Sequence, residues 1–273
     1  MMQQVSEIKD FTRATKPVAE LGQPTGPELR SVRIQTAICW LMLLPFGGFL
    51  TLLLLAKGYR IKNKREIRRR FAQMMRDSDR PLLLCSNHLT FIDSALIIVA
   101  LGSNWWYLFH YQAFPWNLPA GDFFKKKLKY HVTLFLMKCI FIHRDGSSEH
   151  KNAVLGLCRY LLNDRQNVLV FPEGQRSRSG RFAADALTLG ASRLVSTVPD
   201  CRVLCLYLRS AKQETYSNYP PAGAHFSLGM KMIEPATEKS GKDGLLDLTE
   251  QIGATIAGLE AEFFATQKKN VGN

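Results

Sequence analysis

The chain has 273 residues, enough for one large domain or two small ones. Its 36 Lys and Arg against 23 Asp and Glu give a formal net charge of +13, so the surface seeks anions: phospholipid headgroups, phosphorylated molecules or nucleic acid. The six cysteines (Cys39, Cys85, Cys139, Cys158, Cys201, Cys205) lie in apolar contexts without a C-x-x-C pair, which argues against a disulfide framework or a zinc site and for buried thiols in a reducing compartment.

Residues 1–33 are polar and interrupted by Pro17, Pro24 and Pro27, which predicts a loose tail with at most one short helix. No secretory signal is expected, because the apolar stretch starts too late and no small-residue cleavage pattern follows it. From Ile34 to Ala56 the run IQTAICWLMLLPFGGFLTLLLLA carries no charge and approaches the roughly 20 residues of a spanning helix. Its centre, Pro45-Phe46-Gly47-Gly48, either kinks one spanning helix or divides the run into two helices that dip into one leaflet. A buried helix of a soluble core is the third reading. In YRIKNKREIRRRFAQMMR, Ile67, Phe71, Met74 and Met75 share a helical face while Lys and Arg fill the other. That composition predicts a helix lying on an anionic bilayer surface on the cytoplasmic side, with a nucleic-acid-binding arm as the alternative. The chain thus divides into a polar tail (1–33), a membrane-associated segment (34–78) and a folded domain (79–273).

Leu82-Leu83-Leu84-Cys85 is apolar throughout and too short for a buried helix, which predicts a buried strand ending at Asn87-His88. From Phe91 the apolar stretch up to Gly102 predicts a helix. His88 therefore stands at a strand-to-helix junction, where open α/β sheets place their chemistry. Asp93, about one turn further on, can fold back onto one imidazole nitrogen, fix the tautomer and leave the other nitrogen to take a proton. The plainer alternative is a capping histidine followed by a solvated first-turn acid. Asn104 to Phe114 is rich in aromatics, which predicts a strand. Gly121 to Lys127, aromatic and basic together, predicts a membrane-interface loop or a solvated charged face. Cys139 to Ile142 reads as a strand that ends in His143 and Arg144.

Ser147 to Asn163 predicts a helix with Val154, Leu157, Leu161 and Leu162 on one side. Val168 to Phe171 predicts a strand that turns through Pro172 and Gly174 and presents Glu173 and Arg176. Two strands thus end in chemically capable side chains. Gly190-Ala191 falls in a further helix, Arg202 to Leu208 in a buried strand, and the alternation of Phe226, Leu228, Met230 and Met232 marks a last strand. Leu245 to Phe264 closes as an amphipathic helix with Leu248, Ile252, Ile256, Leu259 and Phe263 on one face. Strand and helix alternate, which argues for an α/β sheet. There is no internal repeat, G-x-G-x-x-G or P-loop, so nothing asks for a nucleotide cofactor. His110, His131, His150 and His225 are isolated and read as core or surface histidines, and no metal site is expected.

The pattern Asn87-His88-x-x-x-x-Asp93 followed by Phe171-Pro172-Glu173-Gly174-x-Arg176-Ser177 resembles the glycerolipid acyltransferases, in particular the lysophosphatidic acid acyltransferase (PlsC-like) family. Ile140 to Arg144 is similar to that family's middle block, in which an arginine closes a strand. The likeness runs from about Pro81 to Pro235. It implies a mixed, mostly parallel sheet flanked by helices, with a membrane-associated helical motif ahead of it, and so favours the dipping hairpin for the apolar run. It implies transfer of a fatty acyl chain from acyl-CoA or acyl carrier protein to a lysophospholipid, most simply 1-acyl-glycerol-3-phosphate, giving phosphatidic acid. Another lysolipid, such as an ornithine-type lipid, is the alternative acceptor. A noncatalytic lipid-surface protein that keeps the fold is the alternative of a different class, against which the intact His88, Asp93, Glu173 and Arg176 argue.

On this resemblance His88 is the general base and Asp93 its orienter, while Arg144 and Arg176 offer planar donor forks to a phosphate. Glu173 hydrogen-bonds the glycerol or steadies the arginines, with Gly174 and Ser177 completing the substrate-binding block. The acceptor's own hydroxyl is the nucleophile, so no serine is needed, and the absence of G-x-S-x-G argues against a Ser-His-Asp hydrolase. The expected partners are membrane lipids, the acceptor and the acyl donor, the last as a substrate rather than a cofactor, and no nucleic acid. Where relatives carry prolines in a fourth block, this chain has Arg202 and Cys205.

Overall fold

The strand Leu82–Ser86 is buried at every position, and that is possible only where a sheet is covered on both faces. It lies in the middle of a six-stranded sheet. The computed structural model describes residues 21–120, 128–143, 145–213 and 217–271. In chain order the strands are β1 (Arg60–Ile61), β2 (Leu82–Ser86), β3 (Trp116–Asn117), β4 (Val168–Val170), β5 (Arg202–Ser210) and β6 (His225–Ile233). They line up as β1-β6-β5-β2-β4-β3, and every neighbouring pair is parallel except β5 with β6. The mixed, mostly parallel sheet expected from the sequence is therefore the one observed.

The alternation of side chains along the strands divides the core in two. Leu83, Cys85, Val168, Val170, Val203, Cys205 and Tyr207 face one layer of helices: α7 (Ser148–Asn163), α8 (Gly190–Thr197) and α9 (Gly241–Val271). Leu82, Leu84, Leu169, Leu204, Leu206 and Leu208 face the other: α3 (Lys64–Arg76), α4 (Asp93–Leu101) and α5 (Asn104–Phe109). The apolar faces read from α7 and α9 are buried as the periodicity requires. All six cysteines are free and buried.

Ahead of the sheet, α1 (Gly26–Leu41) and α2 (Leu43–Ala56) meet at a 66° bend, and α6 (Leu128–Leu136) packs beside α1. Among the described residues no single helix is long and apolar enough to cross a membrane, whereas this bent pair passes together on length and composition. The apolar run is thus two helices, but its break lies at Met42 rather than at Pro45-Gly48. Pro45 sits in the first turn of α2, where a missing N–H removes no helical bond. Gly47 lets the neighbouring helix come close, since a Cβ there would lie 2.9 Å from Asn104 Oδ1 on α5. The start of α1 at Gly26 also falls inside the stretch read as tail. Thr25 and Glu28 form a reciprocal capping box there, with the Thr25 N–H donating to Glu28 Oε2 at 2.7 Å, and Pro27 follows at the helix start.

Three further expectations are corrected. The aromatic run from Asn104 is a helix, because the Ser103 hydroxyl accepts the Trp106 N–H at 3.1 Å and caps it; a turn of 3₁₀ helix, Tyr111–Ala113, follows. The chain from Cys139 to Ile142 is no strand but two isolated bridges, to Asn117 and Ala120. Its partner there includes Pro119, which accepts the Ile142 N–H at 3.1 Å but has no N–H to return, so the ladder cannot continue. Finally, the apolar stripe of α3 is not laid on a bilayer. Ile67 and Phe71 are buried, Met74 and Met75 pack against the same core, and Arg68 donates to the last carbonyls of α4, those of Val99 and Gly102, both at 2.8 Å.

Candidate active site

Because β2 and β4 run parallel with Cys85 opposite Val170, their C-terminal ends emerge side by side. The two motifs read from the sequence, more than eighty residues apart, are thereby brought into one turn cluster. His88 Nδ1 lies 3.0 Å from Asp93 Oδ2, and 18% of the imidazole surface stays exposed. The Asp93 carboxylate opens α4 and turns back on the preceding loop. Its Oδ2 accepts the N–H groups of Leu89 (2.6 Å) and Thr90 (2.8 Å), and its Oδ1 the Thr90 hydroxyl (2.5 Å). So many donors leave the carboxylate a single orientation, and with it the imidazole plane. An imidazole whose Nδ1–H donates to a carboxylate presents an unprotonated Nε2, the geometry of a general base with its orienter.

The other motif holds the main chain of His88. Glu173 Oε2 accepts the His88 N–H at 2.7 Å and Oε1 accepts the Ala183 N–H at 3.1 Å, while the Ser177 N–H donates to the His88 carbonyl at 2.8 Å. Among the described residues Glu173 therefore engages backbone N–H groups, not an arginine. Burial pushes its carboxyl up to about 7, against the pull of these two N–H bonds. The Phe171 ring stacks on the imidazole with centroids 4.1 Å apart. Gly174 has φ +63°, and a Cβ there would lie 2.8 Å from Thr188 Cγ2; the Thr188 N–H and hydroxyl both donate to the Pro172 carbonyl and close this turn. Arg176 donates from Nη1 to Asn218 Oδ1 at 2.8 Å, with its Cζ 3.7 Å above the Phe91 ring.

A model of the family described as Acyltransferase matches residues 59–208, more than half of the chain. The chain belongs to that family. Compared with curated proteins, the sequence has no significant match. The matched stretch runs from β1 into β5 and contains both motifs, so this acyltransferase carries its candidate chemistry inside the family domain.

Of the expected site residues, the structure brings together His88, Asp93, Glu173, Gly174, Arg176 and Ser177. Arg144 and the loop Gly121 to Lys127 lie outside the described residues. Several contributors to the site escaped the sequence reading. Asn87 accepts the Leu208 N–H at 2.7 Å and donates to the Leu208 carbonyl at 3.1 Å, which locks the end of β2 to β5. Buried Arg209 donates to the carbonyls of Gly180 and Gln213, and Glu260 of α9 accepts the Phe182 N–H at 3.1 Å, so the loop after Ser177 is fastened from beneath. Asn87 adjoins the histidine in the motif and could have been found there. Arg209, Glu260 and Asn218 have no local pattern, since only the tertiary fold brings them in. Among the described residues no group of three or more His, Cys, Asp and Glu is placed to hold a metal ion.

Proposed function

We propose that this acyltransferase moves a fatty acyl chain from acyl-CoA or acyl carrier protein to the free hydroxyl of a lysophospholipid, 1-acyl-glycerol-3-phosphate, giving phosphatidic acid. The observation that carries the reading is the His88 imidazole, oriented by Asp93 and partly exposed at the strand ends, with the Arg176 guanidinium seated on the same turn. In the proposed step His88 Nε2 takes the acceptor's hydroxyl proton as that oxygen attacks the thioester carbonyl. The C–O bond forms, the C–S bond breaks, and the imidazolium returns the proton to the leaving thiolate. The donor is a substrate, and the step calls on no cofactor. Arg176 offers its planar fork to the acceptor's phosphate. Arg144 is proposed as a second fork on the strength of the family's middle block.

The proposed acceptor is a membrane lipid reached from the cytoplasmic side, and the exposed surface of α1 and α2 supports contact with a bilayer. Ile34, Ile38, Trp40 and Leu41 on α1 and Phe49, Leu52, Leu53 and Leu55 on α2 are exposed, an apolar face that water does not favour. The experiment is to incubate the purified full chain with labelled acyl donors and a panel of lysolipids in vesicles and identify the products by mass spectrometry. Phosphatidic acid formed in preference to every other product is the expected result. Acylation of a phosphate-free lysolipid in preference to lysophosphatidic acid overturns the assignment of the acceptor.

A further inference from the structure

The connection from β5 to β6 touches both the candidate site and the end of α2, and it does so within a few residues. The Phe91 N–H, in the turn between His88 and Asp93, donates to the Asn218 carbonyl at 3.0 Å. Two residues further on, the Pro220 carbonyl accepts the Tyr59 hydroxyl at 2.8 Å, just past the end of α2. The Gly223 N–H donates to the Lys57 carbonyl at 2.9 Å and the Ala224 carbonyl accepts the Arg60 N–H at 3.1 Å, which staples the connection to that corner. Gly58 permits the close approach: its φ is +74°, and a Cβ there would lie 2.9 Å from Gly223 Cα.

Tyr219 stands between these two anchors. Its main chain is held on either side, and its own carbonyl accepts the Ser217 hydroxyl at 2.9 Å, yet the residue is 56% exposed. The ring leans on that of Phe91, with centroids 6.1 Å apart and planes tilted by 58°. On its other side is the Tyr59 phenol, which burial pushes up and the neighbouring Tyr219 pushes up further. A single exposed ring is ordinary, but this one bridges two surfaces. The exposed Leu52, Leu53 and Leu55 of α2 lead to the Tyr59 corner, and Phe91 belongs to the turn that carries His88. The apolar surface offered to a bilayer therefore continues by way of Tyr219 to the candidate site. A phenol joins an apolar body to a polar tip, which suits the junction of an acyl chain with a polar headgroup. We propose that Tyr219 is a specificity-determining residue whose ring takes the acyl chain of the lysolipid acceptor on its way from the α2 face to His88. The inference rests on the reading that the acceptor is a lysolipid drawn from the bilayer.

The experiment measures kcat and KM of the full chain for a long-chain and a short-chain lysophosphatidic acid and for the acyl donor, in wild type, Tyr219→Ala and Tyr219→Phe. Thermal unfolding and vesicle binding are followed in parallel. In Tyr219→Ala we expect KM for the long-chain acceptor to rise about tenfold, the order of losing one ring's contact with a chain, with a much smaller rise for the short chain. The donor KM, vesicle binding and unfolding should stay near wild type, and Tyr219→Phe, which keeps the ring, should restore the long-chain KM. An unchanged long-chain KM, or an equal rise for both chain lengths, overturns the proposal. A rise in the donor KM alone overturns it too, because the ring then serves the donor's chain, and so does a rise in acceptor KM matched by a loss of vesicle binding, because the ring then serves membrane contact. Wild type that prefers a phosphate-free lysolipid overturns the acceptor assignment alone, and the same two chain lengths of that lysolipid then decide the role of Tyr219. Wild type that acylates no lysolipid overturns both.

Discussion

Two regions of this molecule bury an ionisable group to a similar depth, and only one of them exposes a reactive atom. At the ends of β2 and β4, Glu173 is 3% exposed and burial raises its carboxyl to about 7. Below the edge at β3, the Lys138 side chain is fully buried, and burial lowers its ammonium to about 7. Lys138 Nζ donates to the Phe114 carbonyl at 2.9 Å and to Gln166 Oε1 at 3.3 Å, between the rings of Tyr111 (4.6 Å) and Trp116 (4.9 Å). Each group serves the main chain, the carboxylate holding N–H groups and the ammonium a carbonyl. The difference is what stands next to them. Glu173 fixes the backbone of a histidine whose ring reaches solvent, whereas Lys138 fixes a turn roofed by aromatic rings. A displaced pKa therefore marks burial in both places and a candidate site in only one.

The comparison can be sharpened with Glu173→Gln. An amide offers one oxygen where the carboxyl offers two, so one of the two backbone N–H groups loses its acceptor, at a cost of about 1–3 kcal/mol measured by denaturant unfolding at pH 5. Because the folded pKa is raised, the native state holds a proton that the unfolded chain releases. The contribution of Glu173 to stability is complete below about 4.5 and is lost as pH rises through about 7. The deficit of the variant should therefore shrink between pH 5 and pH 8. Its acyl transfer should also fall, since the His88 main chain loses part of its hold; an unaltered rate would detach Glu173 from the site.

At Lys138 the sign reverses. The folded pKa is lowered, so the stability linked to this group is present above about 10.5 and is lost as pH falls through about 7. Lys138→Met keeps an unbranched apolar stem without the charge. It should leave acyl transfer intact and be equal to wild type at pH 7 or more stable by up to about 2 kcal/mol. Between pH 7 and pH 10 wild type should gain on it. A variant that loses activity while remaining folded would break the contrast between the two regions.

How much of this was legible in the sequence depended on what covers each element. β2, β4 and β5 announced themselves as unbroken apolar runs because both of their faces are buried, and β6 by alternation because one face is less so. The stripe on α3 was equally clear, but a stripe records that an apolar face is covered, not whether protein or lipid covers it, and here Phe71 meets the core. On α5 aromatic content suggested a strand, and a single capping serine overrode it. At the site, His88 and Asp93 lie five residues apart and were readable as a pair, as was the Glu173 to Ser177 block. That these two blocks grip one another follows from the parallel register of β2 and β4, which no local pattern encodes.

The central claim is that the Asp93-oriented imidazole of His88 takes the acceptor's proton, and His88→Ala tests it most directly, with acyl transfer assayed on vesicles and unfolding followed in parallel. The account predicts a fall in kcat of about 10²- to 10⁴-fold, the usual contribution of a general base, with thermal unfolding and vesicle binding near wild type. A folded His88→Ala enzyme that acylates lysolipid at the wild-type rate would contradict it.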